Sequence, residues 1–190
     1  YMLLPLVAAA ALASQSPEVL KSWAHIDSTQ DAIQAEWIKL TEIEAPSKQE
    51  QARIAYMKQA MARVGLSDIQ QDEMGNVWGT YKGSVGGRET VFAAHMDTVF
   101  PLGTPIKVRE EKGVYHAPSI SDDTGALVAL LHAFDAMKRA GVRVKHDVIF
   151  LATVQEEIGL YGAKYWLEKR MPKPASFVAV DSRLGGVSFG

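Results

Sequence analysis

The sequence predicts a three-layer α/β/α fold, in which helices cover both faces of a mostly parallel sheet. Three short apolar runs, at 90–94, 147–154 and 177–180, are continuous rather than alternating, which is typical of strands buried on both faces. Amphipathic segments at 125–140 and 161–170 separate these runs. Strands that alternate with helices in this way indicate an α/β fold with parallel pairing through helical crossovers.

The first third of the chain is predicted to be mainly helical. Ser16 followed by Pro17 marks a helix start, because Ser is a good cap and Pro fits the first turn. Apolar residues recur at helical spacing in 31–43. The segment 47–50 has the Ser-x-x-Glu pattern of a capping box, and Gly65 would end the helix that follows it. Two strands are then predicted on either side of the turn signal Gly75-Asn76.

Composition limits the classes of protein and of site. The 190 residues suffice for one domain with a core, and 47% hydrophobic and 22% charged residues are typical of a globular protein. A formal net charge of −2 does not indicate a nucleic-acid-binding protein. Without cysteine, disulfides and thiolate-ligated metals are excluded, so a metal site would use histidine and carboxylates.

The N-terminal segment 1–13 carries no charge and resembles the apolar region of an export signal. Ala11-Leu12-Ala13 before Ser14 is similar to a small-residue cleavage site. The run is shorter than the roughly 20 apolar residues that a membrane span requires, so no stable span is expected. We therefore expect a periplasmic or secreted protein. The alternative is an ordinary helix packed on a cytoplasmic domain.

Polar side chains that can bind metals follow each of the three buried apolar runs, and others precede the helix at 125–140. Because the carboxyl ends of parallel strands meet at one edge of a sheet, we expect these side chains to lie together. Carboxylates crowded at such an edge, with no Lys or Arg expected nearby, would repel one another unless a divalent cation were bound. The residues are His95, Asp97, Asp122, Asp123, Glu156, Glu157 and Asp181.

Each of these motifs has a simpler interpretation when it is taken alone. His95 at a strand end could be a hydrogen-bonded structural residue, and the pair 122–123 could cap the following helix. The pairs 156–157 and 181–182 could be a solvated helix start and a turn. The metal hypothesis depends on their occurrence as a set.

Five ordered motifs, at 72–77, 94–101, 121–125, 153–159 and 180–181, resemble the M20 family of metallopeptidases. This family includes glutamate carboxypeptidases, peptidase T type tripeptide aminopeptidases and acyl-amino-acid deacylases. The resemblance extends from about residue 31 to the end of the chain. It implies a zinc-exopeptidase-like fold and a dinuclear metal-dependent hydrolase of peptide or N-acyl amino acid amide bonds, with zinc as the expected metal and manganese or cobalt as alternatives.

The resemblance implies a role for each matching residue. His95 and Asp181 would bind the first metal, Glu157 would bind the second, and Asp122 would bridge both and precede a cis peptide bond. Asp97 would orient the His95 imidazole. Glu156 would be the general base for a metal-bridged water.

The sequence departs from the family pattern at its end. The family has a further His ligand for the second metal and an inserted lid domain, and neither is matched before Gly190. The remaining histidines are His25, His116, His132 and His146. The segment 14–190 is therefore expected to be an incomplete catalytic domain with little activity alone, whose substrate specificity and homodimer contacts would lie in the lid. Two local differences are Thr124 in place of a common Lys and Ser119 in place of a common Gly.

Two alternatives remain open at this point. One is another co-catalytic zinc aminopeptidase, of the M28 type, which has a similar bridging Asp and paired Glu. The other is a catalytically incomplete metal-binding domain, against which the presence of Glu156 argues. A purely structural α/β domain is the least favoured interpretation.

Overall fold

The computed structural model describes residues 16–181, so the segment 1–13 and its expected export role lie outside the described part. Between these limits no helix is long and apolar enough to cross a membrane. The helices are α1 (Pro17–Ser28), α2 (Gln30–Thr41), α3 (Gln51–Arg63), α4 (Thr124–Ala140) and α5 (Tyr161–Lys169). The strands are β1 (Ser67–Gln71), β2 (Val77–Tyr81), β3 (Glu89–His95), β4 (Arg109–Glu111), β5 (Val114–His116), β6 (Asp147–Thr153) and β7 (Ser176–Ala179).

The main sheet has five strands in the order β1-β2-β6-β3-β7. Strand β3 lies at the centre of a parallel unit, because it pairs in parallel with both β6 and β7. Strands β1 and β2 extend the sheet in antiparallel fashion beyond β6. The predicted α/β class is confirmed, and the three apolar runs form the parallel part of a mixed sheet.

Hydrophobic side chains cover both faces of this sheet, as continuous apolar strands require. On β6, Phe150 points into the larger core with α2, α3 and α4, while Leu151 points into a smaller core with α5. Phe134 of α4 stacks on Phe150 with 5.9 Å between ring centroids. Trp166 of α5 meets Trp78 edge to face, also at 5.9 Å. Each fully buried side chain of this kind contributes about 1.5–3 kcal/mol to folding.

The helix boundaries confirm two sequence signals. Ser16 caps α1, accepting a hydrogen bond from the Val19 amide at 3.4 Å. Gly141 follows α4 in the left-handed conformation with φ 72°, which a residue without Cβ adopts without strain.

The predicted capping box at 47–50 is wrong. Helix α3 begins only at Gln51, and its cap residue Glu50 makes no side-chain cap hydrogen bond. The Ser47 hydroxyl donates instead to Asp97, and the Glu50 carboxylate accepts from the amides of Lys48 and Gln155. Both side chains are used for tertiary contacts with the loops at the sheet edge, which a local pattern cannot reveal.

A small hairpin formed by β4 and β5 was not predicted from the sequence. Lys112 and Gly113 make its turn with positive φ angles of 54° and 80°. Strand β4 is made of Arg-Glu-Glu and is exposed along its whole length, so it lacks the apolar residues from which strands were inferred.

Candidate metal centre

The predicted polar residues converge at the carboxyl ends of the parallel strands. His95 is the last residue of β3, the pair 156–157 follows β6, Asp181 follows β7, and the pair 122–123 precedes α4. Two groups of three residues there could hold a metal ion, with the ligand atoms of each group within 4.8 Å of one another. The groups are His95, Asp123 and Asp181, and His95, Asp122 and Glu157. We call the whole set, with Asp97 and Glu156, the strand-edge cluster.

His95 occupies the centre of the cluster with its two ring nitrogens in different surroundings. Nδ1 lies 3.0 Å from the backbone oxygen of Asp97 and 3.4 Å from its carboxylate Oδ1. Nε2 lies 2.9 Å from Asp122 Oδ1 and 3.9 Å from Glu156 Oε2. Two acceptors at Nδ1 fix the ring orientation, and they leave Nε2 directed toward the carboxylates where a ligand nitrogen is required.

Asp97 is fully buried and joins two loops of the cluster. Its Oδ1 accepts from the Glu156 amide at 2.8 Å, and its Oδ2 accepts from the Glu157 amide at 3.2 Å. The Ser47 hydroxyl donates to Oδ2 at 2.6 Å. Asp97 therefore holds the 156–157 backbone in addition to facing the imidazole of His95.

Asp123 belongs to the predicted set, but neither the sequence nor the family resemblance gave it a role of its own. It is fully buried, and its Oδ2 accepts from the His95 amide at 2.9 Å. Its Oδ1 has no hydrogen-bond partner among the described residues. Burial, together with the charges of Asp181 and Asp122, raises the pKa of Asp123 to about 8, although His95 acts in the opposite direction. The Asp122-Asp123 peptide bond is cis, as the family resemblance implies.

The electrostatics of the cluster favour a cation. Burial raises the pKa of Glu156 and of Glu157, and the neighbouring carboxylates raise them further. Burial alone would lower the pKa of His95, but Asp97, Asp123 and Glu156 outweigh it and raise that pKa to about 10. In the absence of another cation, the His95 imidazole therefore holds a proton at neutral pH. The carboxylates that stabilise this proton would also stabilise a divalent ion bound in its place.

The expectation that no Lys or Arg lies near the cluster is wrong. Arg53 of α3 is 1% exposed, and its charge interacts with those of Asp97 and Asp123. Burial lowers the pKa of Arg53 to about 10, so the group remains a cation at neutral pH. One guanidinium does not balance the carboxylates of the cluster, and the requirement for further positive charge remains.

The donor set fits a divalent transition metal. Imidazole nitrogen and carboxylate oxygens suit zinc, manganese or cobalt. The Oδ1 atom of Asp123, buried and without a hydrogen bond in the described part, is an acceptor for which a cation would provide a partner.

The other histidines lie in different surroundings. His132 of α4 is within 2.9 Å of Glu36, and His25 of α1 is within 3.0 Å of Asp135. His146 contacts the backbone oxygen of Gly86 at 2.9 Å, and His116 lies in the β4–β5 hairpin. Among residues 16–181 the candidate metal groups contain none of these four.

The fold and the site together define an α/β domain with a candidate centre for divalent metal at its strand ends. Residues 91–186 match the family described as Peptidase family M20/M25/M40. The chain belongs to this peptidase family, as its motifs suggested.

Two relatives match part of the chain. The uncharacterized protein YgeY of Escherichia coli is 30% identical over 122 residues, which are 60% of this chain and 30% of YgeY. A putative [LysW]-lysine/[LysW]-ornithine hydrolase of Pyrobaculum aerophilum is 35% identical over 133 residues, which are 70% of this chain and 36% of that protein. The chain thus spans about a third of the length of these curated relatives.

Solved structures share the fold. Aminopeptidase PepT from Bacillus cereus superposes with a TM-score of 0.69 at 25% identity, over 80% of this chain and 43% of that one. Human carnosine dipeptidase 1 gives a TM-score of 0.72 at 16% identity, over 85% of this chain and 41% of that one.

Proposed function

We propose that this chain is the metal-binding part of a dinuclear hydrolase that cleaves peptide or N-acyl amino acid amide bonds. The observation that carries the proposal is the pair of candidate ligand groups that share His95, with Glu156 beside them. Membership of a peptidase family and likeness to a hydrolase and to peptidases support the reaction class.

In the proposed site the ligands divide between two ions. His95 and Asp181 would bind the first, Glu157 the second, and Asp122 would bridge them. Asp122 suits a bridging role because its side chain is 54% exposed and its Oδ1 already lies 2.9 Å from His95 Nε2. Asp123 Oδ2 accepts from the His95 amide, and its Oδ1, which has no hydrogen-bond partner among the described residues, would face the first ion.

Bound divalent ions would lower the pKa of a water molecule and polarise the scissile carbonyl. Side chains of the cluster would carry out the proton transfers. Glu156 is half-buried at the mouth of the cluster, and its raised pKa makes its carboxylate a better proton acceptor than an exposed glutamate. It would take the proton of the attacking water and pass it to the leaving amine. Asp97, which binds the Glu156 amide, would hold this base in place.

A substrate panel tests this proposal. The chain would be loaded with Zn²⁺, Mn²⁺ or Co²⁺ and assayed with dipeptides, tripeptides and N-acetyl amino acids, beside a Glu156→Gln variant. Because the chain is expected to have little activity alone, we expect weak metal-dependent hydrolysis of at least one class and its loss in the variant. Hydrolysis that is equal in the variant or independent of added metal would contradict it.

Metal stoichiometry tests the dinuclear part of the proposal. We expect one ion to bind more tightly than the second, and Asp122→Ala to abolish both. Metal binding with no hydrolysis of any substrate would instead favour the catalytically incomplete metal-binding domain.

A further inference from the structure

Arg53 lies in the first turn of α3, and its buried guanidinium donates to the carbonyl of Met96, between His95 and Asp97 of the strand-edge cluster. A buried guanidinium must find acceptors for its five N–H donors, because desolvated donors without partners are strongly destabilising. Within the described part of the chain, Arg53 donates to backbone carbonyl and hydroxyl oxygens. The acceptors are Ile43 O at 2.9 Å, Met96 O at 2.9 Å, Ser119 Oγ at 3.5 Å and Thr41 O at 3.5 Å.

Two of these acceptors belong to the segments that carry the candidate ligands. Met96 stands between His95 and Asp97, so its carbonyl fixes the backbone from which both side chains project. Ser119 donates its hydroxyl hydrogen to the backbone oxygen of Asp122 at 2.8 Å. One guanidinium therefore connects the 95–97 segment to the 119–122 segment.

Ser119 makes this connection specific to the present sequence. Its φ of 62° lies in the left-handed region that favours glycine. A glycine at this position would fit the backbone but would remove the hydroxyl that accepts from Arg53 and donates to Asp122. The serine is thus held in a conformation that is unfavourable for it, at a place where its hydroxyl has partners on both sides.

The charge of Arg53 acts on the same residues. Its counter-charges are Asp97 and Asp123, which it attracts without a direct hydrogen bond among the described contacts. A rigid planar fork that contacts several oxygens at once is a property of arginine, and lysine offers only a point charge on a flexible stem. Charge and hydrogen-bond geometry can therefore be separated by substitution.

We propose that Arg53 is a positioning residue that, through the Met96 carbonyl and the Ser119 hydroxyl, sets the placement of His95 relative to Asp122 and thereby the metal affinity of the site. The proposal rests on the proposed function, because it takes these two residues as ligands. Groups behind metal ligands typically change affinity by about 10- to 100-fold when they are removed.

The test compares Arg53→Lys, Arg53→Met and Ser119→Gly with the unsubstituted chain. Arg63→Lys is the matched control, because Arg63 is at the other end of the same helix and binds Glu36. The affinity for Zn²⁺ would be measured by competition with a chromophoric chelator. Hydrogen exchange of segments 94–98 and 119–124 would be measured in the metal-free chain, and thermal unfolding would be recorded for each variant.

We expect Arg53→Lys to weaken Zn²⁺ binding by about 10- to 100-fold and to speed exchange in both segments together. Ser119→Gly should weaken binding by a smaller factor and speed exchange mainly at 119–124. Arg63→Lys should leave the affinity and both segments unchanged. If Arg53→Met does not fold, the other two substitutions decide the outcome.

A lower melting temperature with unchanged Zn²⁺ affinity in Arg53→Lys and Ser119→Gly would overturn the proposal, since it would show a purely structural role. Failure of the unsubstituted chain to bind metal would instead overturn the proposed function. In that case, hydrogen exchange in the metal-free variants would still test whether Arg53 links segments 94–98 and 119–124. If Arg53→Lys changed the exchange of one segment without the other, the link would be refuted.

Discussion

Two clusters of polar side chains in this molecule, one built around a single carboxylate and one around several, have opposite electrostatic character. The first surrounds Glu36 of α2, which contacts His132 at 2.9 Å, the Tyr56 hydroxyl at 2.8 Å and the Arg63 guanidinium; we call these four residues the Glu36 cluster. Burial raises the pKa of Glu36, but the nearby His132 and the hydrogen bonds from Tyr56 and Arg63 outweigh it and lower the pKa to about 2. In the strand-edge cluster, burial raises the pKa of Asp123 to about 8.

The difference shows that the hydrogen-bond and charge partners of a buried carboxylate, rather than its burial, decide whether its charge stabilises the folded state. The Tyr56 hydroxyl and the Arg63 guanidinium both donate to Glu36 Oε1, and His132 Nε2 lies 2.9 Å from Oε2, so the charge of Glu36 stabilises the folded state without any added ion. At the strand edge several carboxylates face one histidine, and the buried guanidinium of Arg53 binds carbonyl and hydroxyl oxygens instead. The Glu36 cluster is therefore complete as it stands, whereas the strand-edge cluster has the excess negative charge of a metal centre.

The largest expected effect of this difference is on turnover. Glu156→Gln should lower kcat/KM by about 10²–10⁴-fold, the usual contribution of a general base, because glutamine cannot accept the proton. The metal affinity should be nearly unchanged, because the proposed ligands His95, Asp122, Glu157 and Asp181 are all retained. The measurement is steady-state kinetics with the substrate that the panel identifies, together with metal analysis. Glu36→Gln is the control and should leave kcat/KM unchanged. Equal losses of kcat/KM in the two variants would contradict the view that only the strand-edge cluster takes part in catalysis.

The next effect is on folding stability and its pH dependence. The pKa of Glu36 is about 2 in the folded state, against 4.5 for an unperturbed glutamate, so its contribution to stability is fully present above pH 4.5. It is lost as the pH falls through the folded value. Glu36→Gln should lower the free energy of unfolding by about 3 kcal/mol at pH 7. Urea denaturation at pH 7 and at pH 3 should show the difference between the two proteins shrinking in acid; a difference independent of pH would contradict the assignment of the effect to the charge.

A smaller effect is expected on Zn²⁺ affinity, which should depend on carboxylates of the strand-edge cluster and not on carboxylates elsewhere. Asp97→Asn replaces a carboxylate that faces His95 Nδ1 and accepts from the Glu156 and Glu157 amides. We expect Zn²⁺ affinity to fall by about 10- to 100-fold, because the imidazole loses its orienting charge. Isothermal titration calorimetry would measure it, with Asp135→Asn as the control for an aspartate that faces His25. Unchanged Zn²⁺ affinity in Asp97→Asn would show that Asp97 only holds the backbone amides of Glu156 and Glu157 and does not orient His95.

Local sequence patterns predicted the parts of the fold that depend on local chemistry. The apolar runs of β3, β6 and β7 and the helical period of α4 identified the elements that carry the site. Since parallel strands present their ends on one edge, the convergence of His95 and Asp181 could be inferred without coordinates.

Long-range contacts of individual side chains were beyond such patterns. Arg53 reaches Met96 and Ser119 across 43 and 66 residues, and Glu50 reaches Gln155 across 105. In the sequence these residues fit an ordinary helix start, where an Arg and a Glu are expected to be solvated. The burial of Asp123 was equally hidden, because an Asp-Asp pair before a helix is typical of an exposed cap.

The most direct test of the account is a Zn²⁺ titration of the unsubstituted chain, His95→Ala and His132→Ala. Each histidine has Nε2 at 2.9 Å from a carboxylate oxygen, so the two substitutions remove similar contacts from different clusters. The account predicts Zn²⁺ binding by the unsubstituted chain and by His132→Ala, and its loss in His95→Ala. Binding that survives in His95→Ala, or that disappears in His132→Ala while the fold is retained, would contradict it.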